Sequence, residues 1–217
     1  MGKNIELKAA DGHVLAAYIA EPTGKPKGAI VVVQEIFGVN QHIRSVADRY
    51  AAAGYLAIAP AYYDRLQRGY ETGYGPKDIE AGVAVMRQLN WDHVIADTVA
   101  AVNHVKTAGK VGIVGYCWGG TVAWLSAAKV DGLACAIPYY GGGIFGLIGE
   151  KPKVPVMFQF GELDQSPTLE QAKAIAAAHP TAITHLYAGA GHGFNCDERG
   201  SYDAAAAALA QQRALEF

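Results

Sequence analysis

Short runs of apolar residues, each followed by glycine or a polar side chain, recur along the 217-residue chain and constrain its fold most strongly. The clearest are GAIVVVQEIFG from residue 28 and VGIVGY at 111–116. A run that is apolar at successive positions is typical of a parallel strand buried on both faces. Segments with helical periodicity separate the runs. This alternation predicts an α/β fold with a mostly parallel, twisted sheet and helices on both faces.

The order of the predicted elements follows from these runs and from the turn and capping residues between them. Asp11-Gly12 predicts a hairpin turn between the first two strands. Asn40 is suited to cap the first helix and Gly54 to close it, and a break near Asn90 divides the second helical segment. The predicted strands are 5–8, 14–20, the run after 28, 55–59, 111–116, 133–138, 154–160 and 183–187. The predicted helices are 40–50, 78–106, 118–128, 167–178 and 201–215.

The domain organisation predicted from the sequence is simple. No linker, charge block or internal repeat divides the chain, so we expect one domain over residues 1–217. Residues 61–77 are rich in tyrosine, glycine and charge without clear periodicity. We interpret this segment as a loop that acts as a lid or an active-site loop.

Composition excludes several classes of function. The chain has 18 Lys+Arg against 20 Asp+Glu, so no electrostatic attraction to nucleic acid or to an anionic membrane is expected. Its most apolar stretch, 28–33, is too short to span a bilayer, and the N-terminal region lacks the apolar core of a signal peptide. Three cysteines without a CxxC pair disfavour a disulfide framework and a structural zinc site. We therefore expect a cytoplasmic monomer or weak homo-oligomer without metal or organic cofactor.

The strongest local motif is Gly115-Tyr116-Cys117-Trp118-Gly119. It has the G-x-nucleophile-x-G form of a strained turn between a strand and a helix, with cysteine where serine is usual. Such a turn exposes the sulfur at the carboxyl edge of the sheet, beside the first amides of the next helix. The alternative is a small buried cysteine in a tight turn. The strand before the motif and the helix after it favour the nucleophile.

A thiol nucleophile needs a general base and a group that orients the base. Asp164 in GELD follows a predicted strand, and His192 in AGAGHGFN follows the last one. Taken alone, Asp164 could be a helix cap or turn residue and His192 an ordinary loop histidine. The order nucleophile, acid, histidine is that of α/β-hydrolases. All three roles in this order, each after a strand, favour a catalytic triad.

With these segments in place, the chain resembles the dienelactone hydrolase (carboxymethylenebutenolidase) family of α/β-hydrolases. The resemblance covers essentially the whole chain and implies that Cys117, Asp164 and His192 are nucleophile, orienter and base. The matching segments are QEIFG (34–38), GYCWGG (115–120), YYGGG (139–143), GELD (161–164) and GHGF (191–194).

The resemblance also implies roles around the thiol. Glu35 corresponds to the family's extra carboxylate beside the resting thiol, which would keep the thiol protonated and accept its proton when substrate rearranges the site. The backbone amides of Ile36 and Trp118 would form the oxyanion hole. A buried carboxylate needs a partner, so the alternative for Glu35 is a salt bridge to Arg44 or another arginine.

The residues that would bind substrate are less clearly matched. Family members that act on dienelactone carry an arginine four residues after the catalytic histidine, where this chain has Cys196, and Arg199 is the nearest candidate. Arg65 and Arg68 are candidates for a second family arginine. The aromatic residues near the motifs are predicted to line the pocket or to belong to the core, and these are Trp118, Tyr139, Tyr140 and Phe194.

The sequence therefore predicts a hydrolase that cleaves a small ester or lactone through a cysteine acyl-enzyme. The expected partner is a small-molecule ester or lactone, with no nucleic acid and no membrane. Two alternatives remain open at this stage. One is a broad-specificity esterase or thioesterase, and the other is a redox-active thiol protein in which Cys117 pairs with Cys135 or Cys196.

Overall fold

The computed structural model describes residues 2–217, which form one eight-stranded sheet in the order β1-β2-β4-β3-β5-β6-β7-β8. Strands β1 and β2 and the pair β2 and β4 are antiparallel, and the remaining neighbours are parallel. The strands are β1 (Lys3–Lys8), β2 (Val14–Ala20), β3 (Ala29–Val33), β4 (Leu56–Pro60), β5 (Val111–Tyr116), β6 (Leu133–Tyr139), β7 (Met157–Gly161) and β8 (Ile183–Tyr187). The mostly parallel sheet confirms the predicted fold class.

The α-helices are α1 (Gln41–Ala52), α2 (Pro76–Met86), α3 (Trp91–Val105), α4 (Trp118–Lys129), α5 (Leu169–Ala178) and α6 (Ala204–Glu216). Asn40 caps α1 as predicted, since its Oδ1 accepts a hydrogen bond from the amide of Ile43 at 3.2 Å. Asn90 likewise caps α3, which confirms the predicted break. The last helix begins later than predicted because Asp203 caps it, accepting from the amide of Ala206 at 2.9 Å.

Helices cover both faces of the sheet, and the apolar strands supply a core to each. In β3, Val31 and Val33 belong to one hydrophobic cluster and Val32 to the other. Helices α3, α4 and α5 pack on the first cluster, and α1 and α6 pack on the second. Alternation along one strand therefore fills two cores, which explains why the sequence of β3 has no polar position.

The segment 61–77 is anchored where it leaves β4. Tyr62 and Tyr63 are buried, and the guanidinium of Arg65 donates to both carboxylate oxygens of Asp97 at 2.7 and 2.9 Å. A short 3₁₀ turn spans Tyr62–Arg65, and α2 begins at Pro76. No helix within residues 2–217 combines the length and apolar character needed to cross a membrane.

Candidate active site

Cys117 occupies the turn between β5 and α4. Its backbone has φ 55°, in the left-handed region that costs a residue with a Cβ conformational energy. A Cβ on Gly115 would overlap the carbonyl oxygen of Gly119, and one on Gly119 would overlap the carbonyl oxygen of Gln34. The two glycines of the motif therefore allow the turn to close and allow the start of α4 to approach the end of β3.

The predicted site residues follow neighbouring strands of the sheet. Glu35 and Ile36 follow β3, Cys117 follows β5, Asp164 follows β7, and His192 follows β8. These strands are parallel, so their carboxyl ends lie at the same edge. The topology therefore brings together residues that are far apart in the sequence, as expected for ligand sites in open α/β sheets.

His192 and Asp164 are in direct contact. His192 Nδ1 lies 3.0 Å from Asp164 Oδ2 and 3.2 Å from Oδ1. Asp164 is only 2% exposed, and its Oδ1 also accepts a hydrogen bond from the amide of Ser166 at 2.7 Å. The carboxylate is thereby held in place, and a proton on Nδ1 of the imidazole leaves Nε2 free to accept another.

The charge state of His192 reflects its neighbours. Burial lowers the pKa of the imidazole, but Cys117 and then Asp164 favour the charged form and together hold the pKa well above its usual range. An ionised Cys117 close to the ring stabilises the imidazolium, as does the Asp164 carboxylate. The arrangement can therefore hold a proton that has moved from sulfur to the ring.

A cavity of about 410 Å³ opens at Cys117 and is lined mainly by apolar groups. His192 and Asp164 border it on one side. Val83 and Met86 of α2 border it on another, and α2 sits close enough that a Cβ on Gly82 would overlap the carbonyl oxygen of Ile36. Helix α2 therefore covers the site, and the role of the segment 61–77 as a lid or active-site loop stays a prediction.

The amides of Ile36 and Trp118 lie in the same region. Both residues line the Cys117 cavity. Trp118 is the first residue of α4, and the first amides of a helix have no acceptor within the helix. Ile36 directly follows Glu35, beyond the end of β3. The turn at Cys117 contacts the end of β3 through Gly119. Both residues therefore border the cavity, and the role of their amides in an oxyanion hole stays a prediction.

Glu35 has an arginine partner, which is Arg199 rather than Arg44. Arg199 Nη1 donates to Glu35 Oε1 at 3.3 Å, and the Glu35 side chain is 1% exposed. Arg44 pairs instead with Glu71 at 2.7 Å. Within residues 2–217, no hydrogen bond joins Glu35 to Cys117. The ion pair with another arginine is therefore present, and the role of Glu35 beside the thiol stays a prediction.

Arg199 lies against the backbone beside His192. A Cβ on Gly193 would overlap the guanidinium, so the glycine allows this close approach. The guanidinium also lies over the rings of Phe37 and Tyr74, at 5.7 and 5.8 Å from their centroids. It borders an open cleft of about 580 Å³ next to the Cys117 cavity. Burial lowers the pKa of Arg199, but Glu35 and then Cys117 more than offset it, so the pKa is raised.

Three other predicted substrate contacts are not at the cavity. Tyr139 and Phe194 are 1% and 0% exposed and pack against each other and against neighbouring aromatic rings. They belong to the core because their side chains fill the space between the sheet and α6. Arg68 is exposed and pairs with Glu6 on β1. The structure corrects the prediction that these three side chains line the pocket.

The sequence also missed a second group of residues near Glu35. His42 in α1 is fully buried, and its Nδ1 lies 3.0 Å from Oδ1 of Asp197. Cys196 is fully buried and lies in the same cluster as Glu35 and His42. Residues 42 and 197 are separated by 155 positions, and nothing local in the sequence indicates that they meet.

Comparison with known proteins gives one consistent result. The sequence model of the dienelactone hydrolase family matches residues 15–217. The chain is 34% identical over 229 residues to the carboxymethylenebutenolidase of Pseudomonas putida. This alignment covers 99% of this chain and 95% of that protein. It is 36% identical to a Synechocystis protein with the provisional name carboxymethylenebutenolidase, over 94% of this chain and 90% of the other. A crystal structure from Klebsiella pneumoniae, provisionally named a dienelactone hydrolase, superposes with a TM-score of 0.83 at 30% identity, covering 99% and 98% of the two chains.

Proposed function

The chain belongs to the dienelactone hydrolase family and is a hydrolase of carboxylic esters, and on this premise we propose that it cleaves small esters or lactones through a cysteine acyl-enzyme. In this proposal Cys117 is the nucleophile, His192 the general base and Asp164 the group that orients it. The observation that supports it most directly is the contact between His192 Nδ1 and Asp164, on the wall of the cavity that contains Cys117.

The first half of the reaction forms the acyl-enzyme. The Cys117 thiol transfers its proton to His192, and the thiolate attacks the substrate carbonyl carbon. The carbonyl oxygen becomes an oxyanion, which the amides of Ile36 and Trp118 would stabilise by hydrogen bonds; one such donor is commonly worth about 10²–10³ in rate. The carbon–oxygen bond then breaks, and His192 returns the proton to the departing oxygen.

The second half releases the acid. His192 accepts a proton from water, and the resulting hydroxide attacks the thioester carbonyl carbon. The carbon–sulfur bond breaks, and the sulfur takes the proton back from His192. Throughout, Asp164 holds the ring in the tautomer that leaves Nε2 available, as in serine hydrolases. In a lactone the leaving group stays tethered to the acyl-enzyme, so a stabilised enolate leaving group suits this cysteine better than a simple alkoxide.

For the substrate we propose a dienelactone-like lactone whose carboxylate is recognised by Arg199. The Cys117 cavity of about 410 Å³ suits a small molecule with an apolar body. Arg199 is already paired with Glu35, so a substrate carboxylate would have to compete for the guanidinium. When it succeeds, Glu35 would lose its partner and could act on the thiol, which is the role that the family resemblance implies for this carboxylate.

A broad-specificity esterase or thioesterase is the second candidate. Two observations favour it: Cys196 replaces the family arginine, and Arg199 borders the neighbouring cleft rather than the Cys117 cavity. The redox alternative with Cys135 is disfavoured by position. Cys135 pairs in register with Gly112, five residues before Cys117, so the two Cα atoms lie about 16 Å apart along the strand direction. A disulfide requires Cα atoms within about 7 Å.

The test is a turnover panel of dienelactones, aryl esters and thioesters. Cys117→Ala should lower kcat by about 10⁶-fold, while Cys135→Ser, which changes a thiol outside the cavity, should leave it unaltered. Hydrolysis that survives in Cys117→Ala would overturn the mechanism. A preference for carboxylate-bearing lactones that disappears in Arg199→Ala supports the lactone substrate, and equal turnover of all three classes supports the second candidate.

A further inference from the structure

We propose that Glu35, His42 and Cys196 form a binding site for one divalent transition-metal ion, with Zn²⁺ as the ion best suited to it. One potential ligand atom of each residue lies within 4.8 Å of the other two. All three side chains are buried, with exposures of 1%, 0% and 0%. We call these residues the buried cluster. None of the three lines the Cys117 cavity, and Glu35 is the one residue that the buried cluster shares with the mechanism proposed above.

Two atoms of the buried cluster lack partners. Within residues 2–217, Glu35 Oε2 and His42 Nε2 are both enclosed and make no hydrogen bond. Buried polar atoms in native proteins are almost always paired with protein, with ordered water or with an ion. A buried carboxylate oxygen and a buried imidazole nitrogen in one cluster, both without a partner, are what a cation bound there would satisfy.

The other nitrogen of His42 is already oriented for this purpose. His42 Nδ1 lies 3.0 Å from Asp197 Oδ1, so a proton on Nδ1 can be donated to the carboxylate. The lone pair then resides on Nε2, the atom without a partner. Histidines that bind metals characteristically donate their second ring N–H to a carboxylate in this way, which fixes the ring and raises its basicity as a ligand.

The ligand types favour zinc over the harder cations. The buried cluster offers one oxygen, one nitrogen and one sulfur, whereas Mg²⁺ and Ca²⁺ prefer oxygen alone. Zn²⁺ accepts all three atom types at about 2.0–2.3 Å in tetrahedral geometry, so side-chain shifts of a fraction of an ångström would close the cluster around it. On binding, the Cys196 thiol would release its proton to solvent, and the resulting thiolate together with the Glu35 carboxylate would balance the charge of the ion. A water molecule would complete the four ligands.

The experiment uses the full chain, stripped of metal with a chelator and then titrated with Zn²⁺ or Co²⁺. We expect one ion per chain, measured by elemental analysis, and a sulfur-to-cobalt charge-transfer band in the near-ultraviolet spectrum. The same results are expected in Cys117→Ala, which removes the other thiol beside a histidine. Cys135→Ser is the control for removal of a thiol outside the buried cluster, and it should keep the band.

The variants that report on the site are Cys196→Ser, His42→Gln and Asp197→Asn. Cys196→Ser should lose the charge-transfer band, and His42→Gln should lose stoichiometric binding. Asp197 is a half-exposed positioning residue whose replacement should not disturb folding, and Asp197→Asn should weaken affinity by about 10–100-fold. Circular dichroism verifies that each variant is folded.

Three outcomes would overturn the proposal. The first is wild-type protein that fails to bind zinc or cobalt stoichiometrically, in which case the unpartnered atoms are satisfied by water. The second is a charge-transfer band that persists in Cys196→Ser. The third is binding that disappears in Cys117→Ala, which would assign the ion to the Cys117 cavity and leave the hydrolase mechanism to its own test.

Discussion

The structure contains two sets of cysteine, histidine and aspartate that resemble each other in chemistry and differ in their exposure to solvent. The pocket set is Cys117, His192 and Asp164, and the enclosed set is Cys196, His42 and Asp197. In each set the histidine Nδ1 lies 3.0 Å from an aspartate oxygen. In the pocket set the aspartate side chain is fully buried and the histidine is 27% exposed. In the enclosed set the aspartate is 44% exposed and the histidine is fully buried.

On the roles proposed above, access to solvent rather than residue type would distinguish the reactive thiol from the metal-binding one. A nucleophile has to meet a substrate carbonyl, and Cys117 lies in a cavity that admits one. Cys196 is 0% exposed, so its sulfur can meet only something as small as an ion or a water molecule. In the pocket set, Asp164 and His192 each follow the end of a strand. In the enclosed set, His42 lies in helix α1 and Asp197 lies in the loop between β8 and α6.

The largest expected effect separates the two aspartates. Asp164→Asn should lower kcat by about 10⁴-fold, because an amide at this position favours the imidazole tautomer that cannot accept the thiol proton. Asp197→Asn should cause a far smaller loss, since that carboxylate orients His42 and not His192. Steady-state kinetics on one activated ester measures both. Similar losses in the two variants would mean that both sets take part in hydrolysis.

A smaller effect is expected at the turn that carries Cys117 of the pocket set. Gly119, two residues after Cys117, packs against the backbone at the end of β3, just before Glu35. Gly119→Ala should lower the free energy of unfolding by about 1–3 kcal/mol, because the added methyl group overlaps a backbone carbonyl. Gly146→Ala is the matched control, since a Cβ there meets no atom within 4 Å. Denaturant unfolding compares them, and equal stabilities would show that the turn can relax.

The finest distinction concerns the charge of His192. Burial favours the neutral ring, whereas Cys117 and Asp164 favour the imidazolium and hold the pKa well above its usual range. Cys117→Ala removes one of the groups that raise the pKa, so the pKa of His192 should fall and the ring should lose its proton at lower pH. An NMR titration of the ring protons measures this, with Cys135→Ser as control. An unchanged pKa in Cys117→Ala would show that sulfur and imidazole do not interact.

Much of the frame was predictable because its signals are local. The six apolar or glycine residues 111–116 and the glycines on either side of Cys117 were enough to predict strand β5 and the turn that follows it. Asn40 and Asn90 cap helices as their sequences indicate. The cover of the cavity was not predicted, since the position of α2 over Ile36 depends on a contact at Gly82 between distant segments. Whether Tyr139 and Phe194 face the pocket or the core was left open, because an aromatic residue looks the same in sequence in either place; the structure buries both.

The sequence by itself determined the sheet, the turn that presents a cysteine and the order of the residues proposed to act with it, because strand period, glycine conformation and parallel topology act over short stretches of chain. Only the tertiary structure decided that Arg199 pairs with Glu35 across 164 positions and that His42 meets Asp197 across 155. The physical reason is that the loops after β3 and β8 meet only when the sheet and its helices are packed. Burial, which decides whether a thiol reacts or binds, then follows from that packing.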